Sequence, residues 1–248
     1  MSQENEEYPT FNNAPIKEAI FNIAFQRLPN EAVDEFEKVR EKLSNDFSEI
    51  MPIEAHQKTI NFGSSEEALP PDQSWKHGCQ IWSTNKLELY TARLDGFSYH
   101  KLKPYKDGRT AIKKTLEGWN SFASIVSEPK IVSMSVRNIN VIEIPEISFD
   151  LNKYFEIYPK LPDALEKNEI SNVYMKTVLN FREQKATGTV TLAGMPNNER
   201  GAQILLDIEV TKPFDKDSSI EDVLLSLNSI KDKIFFTSHT PECRKLFK

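Results

Sequence analysis

Glycine is scarce in this sequence, with 8 residues in 248. None of them falls into a GxGxxG or GxxxxGK(S/T) run, the arrangement that lets a backbone cradle phosphate oxygens. P-loop and Rossmann nucleotide binding are therefore excluded, and the strand–helix alternation that would carry them is missing too. There is no Gly-x-Ser-x-Gly elbow for a serine nucleophile. Cysteine occurs only at Cys79 and Cys243, which fits a reducing compartment better than a disulfide framework. No apolar run approaches the roughly 20 residues needed to cross a bilayer. The segment 1–8 is acidic and polar and lacks the features of a secretory signal, so a cytoplasmic location with no membrane contact is expected.

What is present is the composition of a globular chain, 39% hydrophobic and 27% charged, long enough to bury a substantial core. The net charge of −6 opposes broad nucleic-acid binding, which draws on a basic field. Charge is unevenly spread. Lys101, Lys103, Lys106, Arg109, Lys113 and Lys114 fall close together, opposed only by Asp107.

Residues 1–12 read as a flexible N-terminal arm. From Ile16 to Phe25 the chain alternates, with Ala19, Phe21, Ile23 and Phe25 forming an apolar side, as a half-buried strand requires. Asn30 is a candidate N-cap, and apolar residues at steps of three and four from Val33 through Leu43, Phe47 and Ile50 predict a helix to about residue 50. A short strand is expected at 58–62, and a polar loop ends at Leu69-Pro70-Pro71-Asp72. Residues 78–83 and 86–94 form a hairpin around Thr84-Asn85, and Asp95-Gly96 turns the chain into a strand at 97–102. A helix follows with Ile112, Leu116, Trp119, Ala123 and Val126 on one side.

A second long strand, Ile131–Ile144, restarts the order. A shorter helix is expected at 148–157 and strands at 171–182, 187–193 and 202–211, with a loop at 194–201. Ser218 and Glu221 form a capping-box pattern for a last long helix, and Thr240-Pro241-Glu242 starts a short final one. Pro129 lies 114 residues after Pro15, and Ser219 lies 110 after Arg109. These near-equal offsets predict an α+β fold of duplicated β-α-β(3)-α units. The halves, 13–128 and 129–248, would pack as one globular unit, sharing one long curved antiparallel sheet with helices on one face. By analogy this looks like a TATA-binding-protein-like or helix-grip arrangement, an architecture that fixes no function.

Three clusters are candidates for chemistry. His77-x-Cys79 is the nearest approach to a metal pair, but no second pair follows at a zinc-like spacing, and Cys79 sits where a small buried residue belongs. No metal or cofactor is expected. The segment from Phe97 to Lys106 interleaves bases with aromatics. Alternation puts Phe97, Tyr99, Lys101 and Lys103 on one face and Ser98, His100 and Leu102 on the other. Tyr99, Lys101, Lys103, Tyr105, Lys106 and Arg109 are thus candidates for an anion or nucleic acid, as stacking rings and phosphate-tracking cations; the plainer reading is a solvated strand guarded by lysines. Finally, Arg137, Asn138 and Asn140 interrupt an apolar strand. Polar groups there need partners if buried, and Asp207 on a neighbouring strand is a candidate for Arg137. These four residues are either a polar network within the sheet or the lining of a pocket.

Read in order, Ala14-Pro15-Ile16-Lys17-Glu18-Ala19-Ile20, Asp95-Gly96-Phe97-Ser98, Pro104-Tyr105, Trp119 and Arg137-Asn138-Ile139-Asn140 resemble the motifs of a sporadically distributed prokaryotic family of uncharacterised proteins. Asn138 stands where that family has Tyr. The resemblance implies no activity and no catalytic residue; its patchy distribution implies a defence-system or mobile-element setting, including toxin–antitoxin pairs.

The expectation is therefore a non-enzymatic interaction protein: a cytosolic subunit, adaptor or antitoxin-like partner of another protein. The alternative is a ligand- or nucleic-acid-binding module using residues 97–114. An enzyme would require Arg137, Asn140 and Asp207 to converge in one pocket.

Overall fold

The first apolar strand, β1 (Ile16–Phe25), lies inside a single nine-stranded antiparallel sheet. The computed structural model describes residues 8–57, 73–127, 129–165 and 170–248. After β1 come a 3₁₀ segment (Asn30–Glu35), α1 (Lys38–Lys42), β2 (Phe47–Gln57), β3 (Gln73–Ser83), β4 (Glu88–Arg93), β5 (Gly96–Leu102) and α2 (Gly108–Val126). Then follow β6 (Ile131–Ile144), α3 (Leu151–Tyr154), a 3₁₀ turn (Asp163–Leu165), β7 (Tyr174–Phe181), β8 (Ala186–Asn198), β9 (Gly201–Pro213), α4 (Ile220–Ser238) and α5 (Pro241–Lys245). The strand order is β2-β3-β4-β5-β1-β6-β9-β8-β7. The two long apolar strands thus meet as neighbours, and each side of that pair runs outward in reverse chain order.

The alternation in β1 decides which face is covered. Phe21 is directly opposite Tyr99 on β5 and Val136 on β6, and Ile23 is opposite Phe97 and Met134. All of these side chains are buried. Helix α2 seals them, with Trp119 and Phe122 within 6.1 Å of the rings of Phe25 and Phe97. Helix α4 covers the same face over β6, β9 and β8, and the two helices touch. Gly118 lets α2 come this close: a Cβ there would lie 2.3 Å from the Tyr90 ring.

Several expectations require correction. The helix predicted from residue 30 to 50 stops at Lys42. Ser44-Asn45-Asp46 are turn formers, and Phe47 through Gln57 pairs with β3 instead. The spacing of Leu43, Phe47 and Ile50 fits a helix, but β2 gains a full ladder by extending. Among the described residues four strands, β2 to β5, consequently lie between α1 and α2, where the expected unit has three. The helix at 148–157 shrinks to one turn, because Phe155 bridges to His239. The loop at 194–201 is mostly strand, closed by a tight turn at Glu199-Arg200, and Gly201, which opens β9, has a φ of +133° and a 2.1 Å approach to the Ile144 carbonyl that exclude a side chain. The α4 cap is Ser219, which accepts from the Asp222 N–H, rather than Ser218. The described part of the N-terminal arm is anchored: Tyr8 stacks on Phe236 at 4.4 Å and Phe11 packs against Phe236 and Phe247. The expected strand at 58–62 and the loop ending at Asp72 lie outside the described residues.

Candidate interaction face

The face of the sheet opposite α2 and α4 is built by the alternate residues of every strand. Its central rows follow from the register. Across one row lie Glu209, Arg137, Ile20, His100, Leu89 and Trp82. The adjoining row carries Asp207, Ile139, Glu18 and Leu102, and the row on the other side Thr211, Ser135, Asn22, Ser98 and Thr91. Most of these side chains are half-buried by one another rather than by a helix.

Two polar networks organise this face. Arg137 grips Asp207 through both oxygens, with Nε donating at 2.8 Å and Nη2 at 2.6 Å. This fork-to-fork geometry is the strongest form of the pair. Beside it, His100 Nδ1 lies 2.7 Å from Glu18 Oε1, and its Nε2 lies 2.9 Å from Ser98 Oγ and 3.3 Å from Thr91 Oγ1. The hydrogen bond from His100 holds the Glu18 carboxyl below the usual carboxylate range, and Arg137 adds to the shift. A third link ties Arg93 to Asn22 at 3.3 Å and to Asp95 at 3.2 Å.

Glu18, His100 and Ser98 stand in the order of a carboxylate–imidazole–hydroxyl relay, which activates a nucleophile when the hydroxyl faces substrate. Here the hydroxyl does not. Ser98 is 1% exposed and Thr91 5%, both sunk in mid-strand between neighbouring side chains. The relay therefore fixes the orientation of the imidazole, which itself remains partly exposed, and presents no attacking oxygen.

The sequence candidates scatter around this face. Tyr99 is 2% exposed, its ring 5.3 Å from Tyr90 inside the core, so it offers no stacking surface, and burial pushes its hydroxyl pKa up. Lys101 pairs with Glu88 at 3.2 Å, and Lys103 donates to Asn13 at 2.7 Å. Tyr105 is turned inward, its hydroxyl buried with no hydrogen-bond partner among the described residues. Only Lys103, Lys106, Arg109 and, beyond them, Lys113 remain exposed, around the first turn of α2.

Arg137 and Asp207 meet, as the residue pattern anticipates, but Asn138 and Asn140 point to the other side of β6. Asn140 donates to the Leu206 carbonyl at 2.9 Å. With its amide oxygen facing α4, Asn138 accepts from Lys231 Nζ at 3.1 Å and donates to the Arg137 carbonyl at 3.1 Å. The strand pleat thus separates the four residues, and the pocket needed for the enzyme reading does not form from them. Sequence reasoning missed Glu18, which lies 82 residues from His100 and reaches it only through the β1–β5 register.

A depression of about 950 Å³ lies by the adjoining ends of β8 and β9. Of its four charged lining residues, Glu146 and Lys153 pair at 2.5 Å, with Asp150 and Lys160 beside them. Among the described residues no three His, Cys, Asp or Glu side chains gather as a metal site, and no helix is long and apolar enough to cross a membrane. The fold is α+β, with one long antiparallel sheet that, among the described residues, has one face free of the long helices. Neither a protein-family model nor a curated protein matches the chain.

Proposed function

We propose that this protein is a non-enzymatic interaction module that docks another protein on the uncovered sheet face, as a cytosolic subunit, adaptor or antitoxin-like partner in a defence or mobile-element system. The observation that carries the reading is the composition of that face. Half-buried apolar residues, Ile20, Ile139, Val141 and Leu205, are interleaved with hydrogen-bonding groups already held in place, the mixture typical of a protein interface. Its central charges are Glu18, Asp207 and Glu209 against Arg137, an acidic excess that repels a phosphate backbone and suits a basic protein surface. The finer architecture belongs to the same proposal. The reverse-order arrangement about the β1–β6 pair supports two related halves, 13–128 and 129–248, in a TATA-binding-protein-like or helix-grip-like curved sheet.

A second reading has its own observation. The exposed Lys103, Lys106, Arg109 and Lys113 at the start of α2 form a basic patch on the helical side, suited to an anion or nucleic acid. The discriminating experiment is affinity purification from the native host with Ile139→Arg and with Lys106→Glu/Arg109→Glu. Loss of a co-purifying protein with Ile139→Arg alone supports the docking face. If instead no protein is retained and salt-sensitive binding to single-stranded RNA or DNA disappears with the double charge reversal, the docking reading fails.

A further inference from the structure

The two edges of the sheet are built differently. Strand β2 has Pro52 at its centre, which removes a backbone donor, together with Glu49, Glu54 and breaks in register beside both glutamates. These are the devices that keep an edge strand from pairing. Strand β7, at the other end, lacks the proline, the carboxylates and the register breaks, and a single lysine is its one edge charge. Its eight residues, Tyr-Met-Lys-Thr-Val-Leu-Asn-Phe, run in unbroken register with β8 and contain one charge, Lys176, and no proline. It leaves Tyr174 75%, Val178 56% and Leu179 38% exposed, and its outer backbone edge has no partner strand among the described residues.

We infer that β7 pairs antiparallel with β7 of a second copy of this chain, joining two sheets into one. The occupant follows from the sequence of the strand itself. A two-fold axis through Val178 and perpendicular to the sheet places each residue opposite one of the same parity, so uncovered faces adjoin uncovered faces and helices adjoin helices. In that register Val178 meets Val178, Thr177 meets Leu179, Met175 meets Phe181 and Lys176 meets Asn180 of the other copy. Tyr174 meets the exposed Arg182, a cation–ring pair. No like charges stand opposite one another. A head-to-tail join of β7 to β2 would run into Pro52, so the assembly closes as a dimer instead of growing into a filament. This pairing does not depend on what the uncovered face binds, although it would double the extent of that face.

An eight-residue seam is small, so association in the micromolar range is expected. Sedimentation equilibrium of the full chain tests it. The mass should double with concentration, and Val178→Lys, at an exposed position that leaves the fold intact by circular dichroism, should weaken self-association at least tenfold. Cysteine placement reads the register. Val178→Cys should cross-link to itself on mild oxidation, since Cys79 and Cys243 are fully buried. Lys176→Cys should cross-link only when mixed with Asn180→Cys. A monomer at every concentration, or a dimer indifferent to Val178→Lys, overturns the inference, as does equal cross-linking of Lys176→Cys with itself.

Discussion

His239 shows how much a single buried side chain determines. It sits among the rings of Phe235, Phe247 and Phe236, with centroids at 4.4, 5.4 and 6.3 Å. Burial pushes its pKa down to about 4, and the nearby Arg244 cation acts in the same direction. In the unfolded chain the imidazole titrates near 6.5, so between about 6.5 and 4 the unfolded state takes up a proton that the folded state refuses. Stability therefore falls as the pH is lowered through that window, by on the order of 3 kcal/mol. His239→Phe should flatten this part of the profile, measured by urea denaturation at a series of pH values. Glu18 acts at lower pH. Its depressed folded pKa contributes stability above the ordinary carboxylate range, and that contribution is lost on further acidification. Cys79 and Cys243, with thiol pKa values raised to about 11 and 12 by burial, are packing residues and not reactive ones.

At the scale of elements, the link between α4 and β6 decides how the helix sits. Lys231 is 2% exposed, and its ammonium lies 2.5 Å from Asp232 and 3.1 Å from the Asn138 amide oxygen. A lysine is rarely buried unless such partners meet it. Removing the amide with Asn138→Leu strips a hydrogen bond from a buried cation, at an expected cost of about 2 kcal/mol. Lys231→Met alone leaves the Asn138 oxygen without its partner and should also destabilise. The double variant should recover at least about 1 kcal/mol relative to the sum of the two, since neither polar group is then stranded. A double-mutant cycle by chemical denaturation checks this, and simple additivity would show the contact to be energetically idle. The Asn138 side chain thus has a structural task on the covered side of the strand, while Arg137 beside it serves the opposite face.

For the whole molecule, the N-terminal arm closes the core at its far end. Tyr8 and Phe11 stack onto Phe236 and Phe247, and the Asn13 N–H donates to the Phe247 carbonyl at 3.1 Å. The first described residues and the last helix therefore stabilise each other. Deleting residues 1–12 uncovers these rings at a cost of roughly 2–3 kcal/mol, and the melting temperature should fall by about 5–10 °C for a chain of this size. Calorimetry of the truncated chain tests this, and an unchanged melting temperature would show that the arm contributes nothing.

Much of this architecture was legible in the residues themselves. β1 and β6 begin and end where their alternation does, and the helix Gly108–Val126 follows from its apolar side, Ile112, Leu116, Trp119, Ala123 and Val126, while its Asp107 cap is seen only in the structure. The features legible in sequence depend on local chemistry, a period of two or of 3.6 residues. Phe47–Gln57 was not legible, because its apolar spacing satisfies both periods until a partner strand is available. The polar sites divide in the same way. That Arg137 and Asn138 face opposite sides follows from alternation alone, and Ser98 with His100 share a side for the same reason. That Glu18 completes the His100 network and that Tyr99 faces the core were decided by strand register and helix packing, and the same register brings Asp207, already a candidate from the sequence, within reach of Arg137. A sequence specifies which side chains share a face, but only the assembled sheet specifies which faces meet and which one the helices leave uncovered.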